Sequence, residues 1–267
     1  MNLTIEKLVY GGDGLARLPA DEHGSGKAVF VPFVLSGESV EATLTEQKPG
    51  FARARVDRIL QSSTQRIEPR CPYFQRCGGC HYQHASYEHQ LVIKAGTLKE
   101  NLRRIAKLEL QSELIVHPSP PWNYRNRSRL RVQTAPEFAL GYFRFNSHTL
   151  LPVEECPLSS PLINRAIAAL WEFGRLGKAA NELQEVEFFA DAEDSQLLIE
   201  AHCAPESPRR RHSNWRSRFK QPSRKLSARS YSRACPKTQC KETANSTRWR
   251  WRARENSTTE RSRRHTA

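Results

Sequence analysis

The sequence predicts a small β-barrel of oligonucleotide-binding type, then an α+β domain built around an iron–sulfur centre, then a disordered C-terminal tail. Three observations predict this. Residues 1–60 are short apolar runs with turn signals roughly every ten residues. Cys71, Cys77 and Cys80 form a C-x5-C-x2-C run, with Cys156 as a distant fourth thiol. Residues 205–267 contain no Gly, Val, Ile or Met, and Leu226 is their only aliphatic residue larger than Ala or Pro. The expected boundaries are 1–60, 61–204 and 205–267.

Leu3, Ile5 and Leu8 open the first domain. Gly11-Gly-Asp-Gly14 reads as a turn, because Gly and Asp tolerate positive φ. Ala28–Val34 is a compact apolar strand, and Gly37-Glu38 a second turn. Val40, Ala42 and Leu44 alternate with Glu41 and Thr43. After Pro49-Gly50, residues 52–59 alternate small or apolar with charged side chains. Arg53, Arg55 and Arg58 are candidate phosphate contacts on that strand, against the plain alternative of a solvated face.

Residues 61–70 read as a polar linker. Four thiolates brought to one point repel one another, and a bound cation relieves the repulsion. Four cysteines suit an iron–sulfur cluster or a structural zinc. A zinc ribbon has two tight C-x2-C pairs, so the x5 spacing favours the cluster. Gly78 and Gly79 would allow a tight turn between Cys77 and Cys80. Disulfides and unliganded core thiols are the competing readings. The N-terminus has no apolar leader and no later run is long enough to span a bilayer, so nothing suggests secretion. His81 and His84 are nearby alternatives as zinc ligands, though such histidines are more often ordinary polar neighbours.

The clearest helix is expected over 86–108, with Leu91, Ala95, Leu98, Leu102 and Ile105 on one face. Pro118-Ser-Pro-Pro-Trp122 breaks the chain. Between Tyr124 and Val132, Ser128, Leu130 and Val132 alternate with Arg127, Arg129 and Arg131, which predicts a strand with one basic face. Arginines beside Trp122 and Tyr124 suit single-stranded RNA, so Trp122, Tyr124, Arg125, Arg127 and Arg129 join Arg53 and Arg55 as candidate RNA-binding residues. A basic face paired with nearby acids is the alternative. A hairpin over residues 140–153 leads to Cys156, a helix follows over 159–178, and residues 186–202 read as two strands joined by an acidic turn.

The net charge of +14 first suggests a nucleic-acid binder. Its distribution matters more. Residues 205–267 carry 15 Arg and 4 Lys against 4 Glu, a balance of +15, which leaves residues 1–204 at −1. Ten Ser and almost no large aliphatics cannot bury enough surface to offset ordering entropy, hence the expected disorder. A genuine Arg/Ser-rich RNA-binding tail competes with out-of-frame translation. Trp215, Trp249, Trp251, Cys235 and Cys240, scattered without repeats, favour the second.

Gly11-Gly-Asp-Gly-Leu-Ala-Arg17 followed by Val29-Phe-Val-Pro32 and Gly37-Glu38 resembles a TRAM domain, a small RNA-binding β-barrel. The Cys71/Cys77/Cys80/Cys156 set, Trp122-Asn-Tyr-Arg-Asn-Arg127 and Leu140-Gly-Tyr-Phe-Arg144 resemble the central domain of bacterial RNA uracil-C5-methyltransferases, the 23S ribosomal RNA type above all. The resemblance covers about residues 1–204. It implies that Cys71, Cys77, Cys80 and Cys156 bind a [4Fe–4S] cluster. It implies a ribosomal RNA substrate, a cytoplasmic location, no membrane, and S-adenosylmethionine as methyl donor. In that family a cysteine thiolate adds to C6 of a flipped-out uracil, C5 attacks the methyl group, and a carboxylate removes the C5 proton.

The sequence departs from the family pattern beyond that point. Its last glycine is Gly177, so a Gly-rich cofactor turn is not found after it. No residue is assigned as nucleophile or base. The expectation is therefore an RNA-recognition and iron–sulfur part with its methyltransferase domain missing and its S-adenosylmethionine site absent, inactive alone. The alternative is a non-catalytic RNA-binding protein with a metal-stabilised fold and a basic tail. No protein partner is implied.

Overall fold

A computed structural model describes residues 1–19, 26–204, 226–230 and 246–253, the last two ranges by backbone alone. The chain divides into two compact units. One is Met1–Pro121 with Tyr142–Leu151; the other is Trp122–Gly141 with Pro152–Ala267.

In the first unit, β1 (Asn2–Thr4), β2 (Lys7–Leu8), β3 (Gly14–Arg17), β4 (Ala28–Val31), β5 (Ser39–Gln47) and β6 (Phe51–Gln61) form a sheet ordered β1-β5-β6-β4-β3-β2. The sheet has six strands. The β4–β6 pair is parallel and the others antiparallel. The two edges, β1 and β2, are separated only by Ile5 and Glu6. Ile5 N donates to Glu38 O at 2.9 Å and Glu6 N to Leu15 O at 2.8 Å. One continuous segment thus stitches both edges, and the sheet closes on itself.

Period-two alternation sets the core. Val29, Val31, Val40, Ala42, Ala52 and Ala54 point inward with Leu3, Ile5, Ala16 and Val34, while Arg53 and Arg55 point out. Gly14 is required by close packing: a Cβ there would stand 2.3 Å from Val34 Cγ2 and 2.8 Å from Ile5 Cγ2. The polar stretch 61–70 is docked rather than a free linker. Ile67 N donates to His84 O at 2.9 Å, and Ser86 N to Gln65 O at 3.0 Å.

Helix α1 (Tyr87–Asn101) starts at Ser86, whose hydroxyl accepts from His89 N, and ends in a π-turn over Leu102–Ala106. The expected apolar stripe exists in sequence but not in burial. No residue of α1 or the π-turn is buried, and Leu98 and Ile105 are 48% and 79% exposed.

A second sheet is made of β7 (Arg127–Gln133), β8 (Ala139–Phe143), β9 (Leu150–Pro152), β10 (Leu183–Ala190), β11 (Gln196–Cys203), β12 (Leu226–Ser230) and β13 (Ser246–Ala253), ordered β12-β13-β11-β10-β7-β8-β9, and the second unit holds it except for the end of β8 and the start of β9. Helix α2 (Pro161–Arg175) is capped by Ser160, whose hydroxyl accepts from Ile163 N, and has Pro161 in its first turn. It buries Leu162, Ile163, Ile167 and Trp171. Trp171 Nε1 donates to Val153 O at 2.8 Å. Gly174 lies against the Phe138 ring, where a Cβ would come within 2.3 Å.

Two parts of the expected fold class are corrected. Residues 226–230 and 246–253 are not disordered. They pair antiparallel with each other, and β13 runs along β11 from Gln196 to His202. The physical reason is that β11 presents an edge of unpaired N–H and C=O groups, while Arg248-Trp-Arg-Trp-Arg252 has aromatic residues at alternate positions, a pattern that favours extension. Cys235 and Cys240 lie outside the described residues, as does Trp215. The second correction concerns the iron–sulfur domain. Among the described residues no group of three or more His, Cys, Asp or Glu side chains is arranged to hold a metal ion. Residues 61–121 belong instead to the first unit, and a second sheet unit carrying α2 begins at Trp122.

Candidate nucleic-acid interface

Strand β7 carries the arginine row. Ser128, Leu130 and Val132 are buried, which forces Arg127, Arg129 and Arg131 onto the opposite face. The antiparallel register sets Arg131 opposite Glu185 and Arg129 opposite Glu187 on β10. Arg127 Nε donates to Glu187 Oε1, Arg129 Nη2 to Glu187 Oε2 at 3.2 Å, and Arg131 pairs with Glu185. The Arg127 guanidinium, with help from Arg129, holds the Glu187 carboxyl below the usual carboxylate range despite its burial. The carboxylates lie beneath and the guanidiniums above: the Glu187 side chain is 11% exposed, those of Arg127 and Arg129 66% and 53%. So the row is paired with acids, and it still presents cationic edges to solvent.

Trp122, Tyr124 and Arg125 precede the row on a segment stitched to residues 157–160. Asn123 N donates to Pro157 O at 3.0 Å, Arg125 N to Leu158 O at 2.8 Å, and Ser160 N to Arg125 O at 2.9 Å. Asn123 itself sits in the left-handed region at φ 56°. Tyr124 is exposed and Trp122 half-buried. Cys156 lies at the start of this loop, where its N–H donates to Asn164 Oδ1 at 3.0 Å on α2.

In the first unit, Arg53 is held by Asp13 at 3.3 Å and Glu46 at 3.5 Å, and Arg55 by Asp57 at 3.2 Å. Arg58 meets Glu41 at 3.3 Å.

Cys71, Cys77 and Cys80 belong to the first unit and Cys156 to the second. Cys77 N donates to Tyr73 O at 2.8 Å, and Cys71 N to Gln83 Oε1 at 3.3 Å. Neither Gly78 nor Gly79 takes a left-handed φ, so the turn needs no such freedom. Among the described residues, these thiols form no group of three or more side chains that could hold a metal ion. Neither histidine is a metal ligand in this arrangement: His81 Nδ1 donates to Gly11 O, and buried His84 donates through Nε2 to Val34 O at 3.1 Å.

The sequence reading missed an ion pair within its supposed linker. Arg66 grips Glu38, which is wholly buried. Only the lone Glu after Gly37 hinted at it.

Comparison with known proteins places this geometry. Residues 1–56 match the TRAM domain family. Over 187 residues the chain is 40% identical to an uncharacterized RNA methyltransferase of Aquifex aeolicus, covering 70% of this chain and 41% of that protein. Over 211 residues it is 35% identical to the 23S rRNA (uracil(1939)-C(5))-methyltransferase RlmD of Pectobacterium carotovorum, covering 78% and 45%. The chain is homologous to RNA (uracil-C5)-methyltransferases. It spans less than half the length of these relatives. A solved structure of Pyrococcus abyssi tRNA (uracil-54, C5)-methyltransferase, in complex with S-adenosyl-L-homocysteine, shares the fold at TM-score 0.54 and 22% identity, over 78% of this chain and 47% of that one.

These matches overturn the expectation of a part whose methyltransferase domain is missing. Methyltransferase relatives align over 70–78% of this chain. Among the described residues, no helix is long and apolar enough to cross a membrane.

Proposed function

We propose that this protein serves C5 methylation of uracil in RNA, with RNA as substrate and S-adenosylmethionine as methyl donor. The observation that carries the reading is the homology to RNA (uracil-C5)-methyltransferases over most of the chain. Ribosomal RNA is the proposed substrate, in line with the 23S rRNA relative. The exposed guanidinium edges of Arg127 and Arg129 are the proposed phosphate contacts, with Tyr124 and Trp122 beside them for bases and Arg125, Arg53 and Arg55 as further cations. Glu185 and Glu187 keep the arginine row extended from the sheet. None of the described residues is assigned the nucleophile or base.

The test uses purified full chain, labelled S-adenosylmethionine and unmodified 23S ribosomal RNA. Label at C5 of uridine is expected; RNA that stays unlabelled contradicts the reading.

A [4Fe–4S] role for Cys71, Cys77, Cys80 and Cys156 is proposed from their spacing and the family resemblance. Anaerobically purified protein is expected to contain iron and sulfide, and finding neither contradicts this role.

A further inference from the structure

The outer surface of β4 and β6 holds an arrangement that core formation does not explain. Inward positions on these strands are Val29, Val31, Ala52 and Ala54. Phe30 and Phe51 take the alternate, outward positions, where a small barrel ordinarily places polar residues. Both rings remain partly exposed. They meet edge to face, with centroids 5.8 Å apart and planes at 67°. The Arg53 guanidinium stands 6.0 Å from the Phe30 ring and 5.8 Å from the Phe51 ring, and the Lys48 ammonium 5.8 Å from Phe51. Arg53 is the direct register partner of Phe30 across the parallel β4–β6 pair.

We propose that Phe30 and Phe51, with Arg53 over them, form a stacking site for one or two unpaired bases of single-stranded RNA. This rests on the proposed RNA substrate and adds a site within the first unit. The chemistry fits a nucleotide. Partly open aromatic rings offer a π-face to any base, and a guanidinium beside them can stack on the base and meet phosphate. Asp13 and Glu46 fix Arg53 from two sides, at 3.3 and 3.5 Å, so the guanidinium is oriented before a ligand arrives.

Those same carboxylates make a distinguishing prediction. Lys48 and Arg53 are offset by Asp13 and Glu46, so the patch is close to neutral. Its contribution to binding is stacking rather than counterion release, and therefore depends weakly on salt.

The test is fluorescence anisotropy of a labelled, unstructured oligouridine with the full chain, across a salt series. Phe51→Leu and the Phe30→Leu/Phe51→Leu pair keep apolar volume but remove the π-faces. They are expected to weaken binding about tenfold or more with the salt slope unchanged. Phe51→Trp keeps a ring and is expected to bind at least as tightly as wild type, which guards against loss by misfolding. Leucine variants that bind like wild type overturn the site. So does a Phe51→Trp variant that loses binding as far as Phe51→Leu does. Wild-type protein that binds no RNA sinks both this site and the RNA substrate.

Discussion

Arg66 and Glu38 form a two-pronged ion pair, with Nε to Oε1 at 2.6 Å and Nη2 to Oε2 at 2.7 Å, on a carboxylate that has no exposed surface. Leu35 N and Ser63 N donate to the same carboxylate at 2.8 and 3.1 Å, and Arg66 Nη2 also donates to Phe33 O at 3.0 Å. The pair ties the 61–70 stretch to the turn that precedes β5. Removing one partner of a buried pair leaves a charge without compensation. Arg66→Met is expected to cost about 3 kcal/mol, the low end for such losses because Arg66 keeps some exposure. Urea unfolding of the full chain checks this. A midpoint unchanged within error would mean the pair is ornamental.

Acid should weaken the first unit in two stages. Burial pushes His84 down from 6.5 to about 4, with the nearby Arg66 charge adding to the effect and the Val34 carbonyl opposing it. Among the described residues its ring Nδ1 has no hydrogen-bond partner, so protonation there is unrewarded. The unfolded chain binds this proton first. Stability is then full above about pH 6.5, falls as pH drops toward about 4, and is lower by about 3 kcal/mol below that. Glu38 acts later. Burial raises its pKa, but Arg66 and the two backbone N–H groups outweigh that and hold it below the usual value. Its contribution is present above pH ~4.5 and is lost as pH falls through the depressed value. Unfolding midpoints measured from pH 4.5 to 7.5 should rise with pH, and His84→Gln should flatten the slope. A wild-type slope retained in that variant contradicts the assignment.

Gly14→Ala should destabilise the first unit by about 1–3 kcal/mol through overpacking against Val34 and Ile5. Gly50→Ala, whose Cβ would meet nothing within 4 Å, is the matched control and should be near neutral. Thermal melts of the two variants side by side decide it. Equal shifts would contradict the close approach at Gly14.

Phe188 is 1% exposed in the second unit, where β10 lies beside β7. Phe188→Ala is expected to cost about 3–5 kcal/mol by transfer and cavity terms together. The fitted unfolding free energy measures it. A loss below about 1 kcal/mol would mean the site is looser than its burial implies.

Much of this was legible from residue order, for physical reasons that differ from place to place. Alternation in 40–44 and 52–59 exposes a strand's two faces directly, and the structure has β5 and β6 there. An apolar side running through Leu162, Ile163, Ile167 and Trp171 made α2 readable. The 86–108 stripe looked as strong, yet periodicity shows which residues share a face and not what covers them. Residues 61–70 were read as a linker because polarity hides a buried ion pair: Arg66 finds Glu38 28 positions away, with no local signal. Strand β13 was missed because edge pairing with β11 depends on a neighbour and not on the tail's own composition. The β7 arginines were placed correctly on one face. Their pairing with Glu185 and Glu187 was open until the register was known.

The most direct test of the RNA-binding claim compares wild type with Arg127→Gln/Arg129→Gln, in the full chain, on unmodified 23S ribosomal RNA from low to moderate salt. The tail's charge is the same in both proteins, so it cancels. If the arginine row meets phosphates, the variant binds more weakly and its plot of log affinity against log salt is shallower by roughly two. Superimposable curves for the two proteins would contradict it.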